Sequence, residues 1–350
     1  MTTTAPPTDP PAGAASAPGA GADARALLTR PRLSARDILE RYGLLLLVVA
    51  LFVLFAVLPE SSSAFVSPQN IRALVANQSV GLVVAIALLF PLAAGYFDFS
   101  VGAVTAASSV VAAAVVSHLG LPLPVAVVAA IGFGLLVGLA LGYLVAYVGV
   151  NPFISTLGVA TLLGGAIFAY TGGLQITSGI PSELTDIGSR AIWGIPRIVL
   201  VAAVIAVIAW WIMSKTVFGR RLYAVGSNAR ATQLLGVDVR RMQLLSFVAS
   251  GTIAGTAGVL LLARQGAATS DSGMTMLFPA LTAVLLSTIV IDIGRPSVPG
   301  TVIGILFIAI SVSGLTLLGA PAWVGQVFNG AALLIAVGFA RLARLRTTRR

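Results

Sequence analysis

The chain has 350 residues, 58% of them hydrophobic and only 9% charged, against about 25% charged in an ordinary soluble domain. Too little polar surface is available to cover a water-soluble globule, so the composition points to a polytopic membrane protein. With no cysteine and a single histidine, His118, the sequence excludes disulfides, thiolate nucleophiles and multi-histidine metal sites, and neither a metal nor a cofactor is expected. The net charge of +10 would suggest nucleic acid in a soluble protein; here the charges cluster at the ends of apolar runs, so the expected surroundings are a lipid bilayer and no nucleic acid.

Residues 1–24 form a Pro/Ala/Gly/Thr tract without hydrophobic periodicity, expected to be a disordered tail that continues through a basic juxtamembrane segment to residue 42. Ten apolar runs follow, at 43–59, 78–97, 101–118, 124–148, 152–170, 198–213, 243–263, 278–293, 298–318 and 324–341. A hydrocarbon core about 30 Å thick needs roughly 20 helical residues, so the expected fold is all-α, a polytopic bundle of about ten transmembrane helices over residues 43–341 with a basic end at 342–350. Eight spans remain open. The short links Asp98–Ser100 and Gly294–Ser297 can equally be breaks inside discontinuous or re-entrant elements.

Placing both termini in the cytoplasm puts 17 of the 21 Lys and Arg residues inside and leaves Arg72, Arg190, Arg197 and Arg264 outside. Within the runs, Gly134, Gly138 and Gly142, and again Gly251 and Gly255, recur four apart. Small residues at that spacing let helix backbones meet, and packing within the chain is the expected use rather than a subunit interface.

The one lysine, Lys215, follows Trp-Trp-Ile-Met-Ser rather than glycines, so no phosphate-cradling loop is present. Asp98 and Asp292 are the carboxylates nearest the apolar runs, too few for catalysis and sparse for ion coupling. The sequence therefore suits passage of a solute rather than a bond change. In Gly95-Tyr96-Phe97-Asp98-Phe99-Ser100-Val101-Gly102, Asp98 has two readings. It either caps the helix beginning near Ser100 at the cytoplasmic mouth, or joins a polar pathway where Pro91, Gly95 and Gly102 break the helix. The candidate lining is Asn77, Gln78, Asp98, Ser100, Asn151 and Ser155, whose amides, hydroxyls and carboxylate can hydrogen-bond a polar solute. In the loop 214–241, Asn228 is suited to cap a helix over Ala229–Leu235, Gly236 to end it, and Asp238 to cap the next span. A short capped helix between basic flanks has the shape of an element that docks on another protein.

These motifs resemble those of the permease subunits of bacterial ATP-binding-cassette (ABC) importers for ribose and related simple sugars, from about Asn77 to Ala340. The resemblance lies in Tyr96–Gly102, in Asn151-Pro152-Phe153-Ile154-Ser155-Thr156-Leu157-Gly158, and most specifically in Thr216–Asn228 continuing to Leu235-Gly236-Val237. It implies a type II importer permease fold and, as partners, separate ATPase subunits, an extracytoplasmic substrate-binding protein and a second permease copy or paralogue. The segment containing Gly219, Arg220, Arg221, Gly226, Ser227, Asn228, Ala231, Leu235 and Gly236 would then couple to the ATPase, and Arg72, Arg190, Arg197 and Arg264 could pair with carboxylates of the binding protein. The sequence departs from the family at Ser287-Thr288 and Ile293-Gly294, where glycine pairs are usual, and at Met276-Leu277-Phe278, where a Glu-Leu pair is usual. The solute can thus differ from ribose. Alternatives are a permease for branched-chain amino acids or another non-sugar solute, and a stand-alone secondary transporter or facilitator.

Overall fold

A computed structural model describes residue 2 and residues 35–347, with side chains described for residues 42–338. The tail expected over residues 1–34 lies outside them, apart from residue 2. Residues from Leu39 onward form one packed unit; of the unit Met1–Ile38, the helical start of α1 is described.

Side-chain caps set several of the helix starts. Helix α1 (Ala35–Val57) and the single turn α2 (Ser62–Phe65) lead to Ser67, whose hydroxyl accepts the Asn70 N–H at 3.2 Å and, with Pro68 in the first turn, starts α3 (Pro68–Ala93) ten residues before the apolar run. After a fold-back over residues 94–100 comes α4 (Val101–Ser117), then α5 (Leu123–Tyr143), which widens into one π-turn over Leu144–Val148. Asn151 accepts the Phe153 and Ile154 N–H groups and opens α6 (Pro152–Thr171). Helix α7 (Ser182–Ser189) and a two-stranded hairpin, β1 (Ala191–Ile192) and β2 (Ile195–Pro196), precede α8 (Arg197–Lys215). Then follow α9 (Val217–Ser227), α10 (Ala229–Leu234), α11 (Val239–Gln265), α12 (Ser272–Ser287), α13 (Val298–Leu317) and α14 (Ala322–Thr347).

Six of these helices are long and apolar enough to cross a membrane, and α1, α4, α12 and α14 carry shorter apolar stretches. Each of the ten expected runs therefore overlaps a helix of a polytopic bundle. Several hydroxyls inside the bundle bond back to their own helix, as Thr105 does to the Val101 carbonyl and Thr282 to that of Phe278, both at 2.8 Å, which spares the interior an unpaired donor at those positions.

The core is built from two corresponding sets of four helices, α3 to α6 and α11 to α14. Helices α3 and α11 are the long central members and pack on each other antiparallel: Asn77, early in α3, meets Arg264, late in α11, whereas Tyr96, just past α3, meets Gln243, early in α11. The second member of each set, α4 or α12, has 17 or 16 residues, a rise of about 25 Å that falls short of the hydrocarbon core. Helix α4 is entered by the fold-back over 94–100 and α12 through residues 266–271, where Ala268 pairs with Ile176, and each packs on the long helix of the other set. Their first turns touch. A Cβ at Gly273 would sit 2.2 Å from the Gly102 carbonyl oxygen, so two backbones meet there with no side chain between them.

The close approach expected of the glycine rows is between α5 and α11 of the same chain. A Cβ at Gly134 would lie 2.3 Å from the Gly251 oxygen, and one at Gly138 would lie 2.4 Å from that of Phe247. The eighth run is displaced: helix α12 covers 272–287 rather than 278–293, because its first turn is polar and residues 288–297 leave the helix to form a second fold-back. There Ser287 Oγ accepts the Ser297 N–H at 3.2 Å, and Gly300 packs on the Ser287 side chain. Ser287 thus closes the turn between α12 and α13.

Candidate translocation site and coupling segment

The start of α4, whose N-cap is Ser100, receives no side-chain cap bond, and Asp98 does not lie at the mouth of the bundle. Its side chain is 4% exposed and accepts the Ser100 N–H at 3.0 Å, the Ser100 hydroxyl, and the Ser250 hydroxyl at 2.8 Å. Ser250 lies eleven residues into α11, about 16 Å along it, so the fold-back over 94–100 carries the carboxylate into the bundle interior. Val104, Val137, Leu141 and Ala254 wall the crevice around it. Three donors converge on one carboxylate with no cation among them, an arrangement that fixes the fold-back to α11. Ser250 escaped the sequence reading; its signal was its spacing of four from Ser246, in an apolar run where both are fully buried.

The other candidate lining residues fall into two further groups. Asn77 is exposed, and its carbonyl oxygen accepts two bonds from Arg264, at 2.7 and 3.0 Å; Gln78 beside it is half-buried. Asn151 spends its side chain on capping α6, and buried Ser155 donates to the Asn151 carbonyl at 3.0 Å. The α6 start adjoins the Asp98 fold-back through Phe99 and Phe153, whose rings meet edge-to-face at 5.3 Å. Asn77 and Gln78 stand apart from both.

The four arginines expected outside gather at one end of the bundle with α7 and the hairpin, but they do not form an open patch. Arg264 is spent on Asn77 and on the Gly188 carbonyl of α7 at 3.1 Å, and Arg190 pairs with Asp186 at 2.9 Å. Arg197 is partly buried, while Arg72 is exposed near Gly194 of the hairpin turn. At this same end the His118 ring nitrogen lies 2.6 Å from the Tyr170 hydroxyl. Trp193, at the hairpin tip, is 98% exposed.

The opposite end carries α9 and α10. Asn228 caps α10 by accepting the Ala231 N–H at 3.0 Å, Gly236 stops it at φ +79°, and Asp238 caps α11 by accepting the Arg241 N–H at 3.0 Å, as the spacing predicts. Leu234 and Leu235, at its end, are 85% and 84% exposed. Helix α9 was not anticipated. Thr216 caps it, and its inner side packs tightly: a Cβ at Gly219 would sit 2.1 Å from the Met213 oxygen of α8, and one at Gly226 2.0 Å from the Ala93 oxygen of α3. Those two glycines therefore seat α9 on the bundle, while Arg220, Arg221, Ser227 and Asn228 are exposed. Ala231 lies on exposed α10. Tyr223 of α9 donates its hydroxyl to the Pro296 carbonyl at 2.7 Å. Burial, together with the nearby Asp292 carboxylate and against the pull of Arg295, pushes the phenol up to about 12.

Residues 70–337 match the family described as branched-chain amino acid transport system / permease component. The chain is 31% identical over 292 residues to the ribose import permease protein RbsC of Haemophilus influenzae, covering 83% of this chain and 90% of that protein. It is 30% identical over 307 residues to the autoinducer 2 import system permease protein LsrD of Yersinia enterocolitica, covering 86% and 92%. Over 293 residues it is 30% identical to RbsC of Escherichia coli K12, covering 83% and 91%. No solved structure matches significantly. With the multi-pass bundle, the paired half-helices and the capped segment at one end, these matches place the chain in the branched-chain amino acid transport system / permease component family, as a permease subunit of an ABC importer.

Proposed function

We propose that this permease carries a simple sugar, or a sugar-derived polar solute, across a bacterial inner membrane, with both termini cytoplasmic. Two copies, or this chain and a paralogue, would enclose the path. The half-helices α4 and α12 would border it, since discontinuous helices at corresponding places in two inverted halves are where transporters bind their solutes. A substrate-binding protein would deliver solute at the end carrying α7, and ATPase subunits would dock on α10. The permease itself changes no bond. The substrate class rests on the ribose and autoinducer 2 permeases among its relatives.

The observation that carries this reading is the tip of α10, where two adjacent leucines are more than four-fifths exposed on a short helix capped at both ends. A rigid apolar knob at an end of the bundle needs a hydrophobic cleft on another protein, and buried apolar anchors dominate such contacts. In liposomes holding the permease with its ATPase and binding protein, the double variant Leu234→Glu/Leu235→Glu is expected to lower both stimulated ATP hydrolysis and labelled ribose uptake at least tenfold, with membrane insertion intact. Undiminished hydrolysis in that variant, or uptake by the permease alone, refutes the coupling. Uptake of leucine in place of ribose refutes the substrate class.

A further inference from the structure

Helix α9 joins α10 through Asn228 alone, and it touches the bundle where α4 is entered and where α12 gives way to α13. At its C-terminal end Gly226 lies on the Ala93 carbonyl, where α3 gives way to the fold-back holding Asp98, and Gly95 of that fold-back faces Gly226 closely enough that a Cβ on Gly95 would touch it. At its middle Tyr223 reaches the second fold-back, the turn between α12 and α13, through the 2.7 Å bond to Pro296. The Phe218 ring stacks on Phe90 of α3 with centroids 6.5 Å apart, and Gly219 presses on the last turn of α8. The element is held by glycine-to-backbone contacts and one ring pair on the α3 and α8 sides, whereas on the α12–α13 side a side-chain hydroxyl makes the polar link.

We infer that Tyr223 is a positioning residue that hands movement of the ATPase-docking helix to the turn between α12 and α13. This rests on the docking reading of α10 given above. The Pro296 carbonyl stands immediately before Ser297, which caps α13, and the Ser297 N–H is in turn held by Ser287 at the end of α12. Displacing that carbonyl therefore shifts the entry of α13 and the exit of α12 together. Since the α3 fold-back rests on the same short helix, one displacement of α9 reaches both halves of the core. A hydrogen bond suits this task because its strength falls steeply as distance and angle depart from optimum, so the turn must follow the hydroxyl or lose the bond.

The test compares Tyr223→Phe, which keeps the ring, with the parent in liposomes containing permease, ATPase and binding protein, reading ATP hydrolysis and ribose uptake separately. Hydrolysis is expected to stay within twofold while ribose moved per ATP falls five- to tenfold. Spin labels at Arg230 on α10 and Asp292 on the turn, both exposed, are expected to report an ATP-dependent distance change in the parent that shrinks or broadens in Tyr223→Phe. An unchanged ratio of uptake to hydrolysis overturns the inference, and so does a parallel fall in both, which would make the tyrosine a structural support only. If Leu234→Glu/Leu235→Glu leaves hydrolysis untouched, the docking reading fails instead, so the two failures are told apart. Should Tyr223→Phe reach the membrane poorly, the label pair in the parent still decides: no ATP-dependent change at the turn overturns the link.

Discussion

Gly251→Ala is the substitution that most directly probes how the core is assembled. The added methyl would sit 2.2 Å from the Gly134 carbonyl oxygen and 2.9 Å from the Gly138 backbone, where about 3.4 Å is an ordinary contact. Both obstacles are main chain of a regular helix, so no rotamer change relieves them and α5 must back away from α11 by about 1 Å. A radial gap of that size forfeits a quarter to a half of the dispersion attraction of each facing pair, and overpacking of this kind costs about 1–3 kcal/mol. The rigid partners put the expected loss near about 3 kcal/mol. The control is Gly158→Ala on α6, where nothing lies within 4 Å of the new methyl; better helix propensity there should leave stability unchanged or raise it by up to about 1 kcal/mol. Purified variants in one detergent, unfolded by heat or by titrated SDS and followed by tryptophan fluorescence, read the difference. Equal midpoints for the two would refute the argument that the helices touch backbone to backbone at this crossing.

Two other outcomes follow from the same physics. Asp98→Ala strips three buried donors of their acceptor, and with intramembrane bonds worth about 0.6 kcal/mol on average and unsatisfied donors about 1–3, a loss of roughly 2–4 kcal/mol is expected. Ser250→Ala removes one of those bonds and should cost about 1 kcal/mol, so SDS midpoints ordered parent, Ser250→Ala, Asp98→Ala are predicted; parent-like stability of Asp98→Ala would contradict it. Tyr223 has a folded pKa of about 12 against an ordinary 10. Its neutral form is therefore favoured in the folded state, and its contribution is complete below pH 10 and lost as pH rises through 12, on the order of 2–3 kcal/mol at most. The difference in melting temperature between the parent and Tyr223→Phe should be flat from pH 7 to 9 and close above pH 10, and a difference already changing near neutrality would count against the buried hydrogen bond.

The apolar periodicity made the helical bundle legible, since runs of roughly 20 residues have few alternatives in a bilayer, and caps such as Asn228, Asp238 and Asn151 could be read because they satisfy the nearest backbone donors. What stayed hidden needed partners far apart in the chain. Asp98 looked like a residue of the bundle mouth because the sequence does not show that residues 94–100 turn inward to reach Ser250, 152 positions on. Helix α9 was missed because Gly219, Arg220, Arg221 and Gly226 interrupt its apolar residues, so it reads as loop until the bundle supplies a surface on which to bury Leu222 and Val225. The arginines Arg190 and Arg264 read as free surface charge, yet Asp186, Asn77 and the Gly188 carbonyl engage them. Local chemistry could be deduced; long-range pairing could not.

The meeting of Gly102 and Gly273 binds the fates of the two halves. Neither position can accept even a methyl group unless its counterpart yields, so the halves behave at that crossing as lock and key cut from one blank. A chimera that takes residues 68–171 from one relative and the remainder from another should assemble only if both donors keep a bare backbone there, whatever else they share.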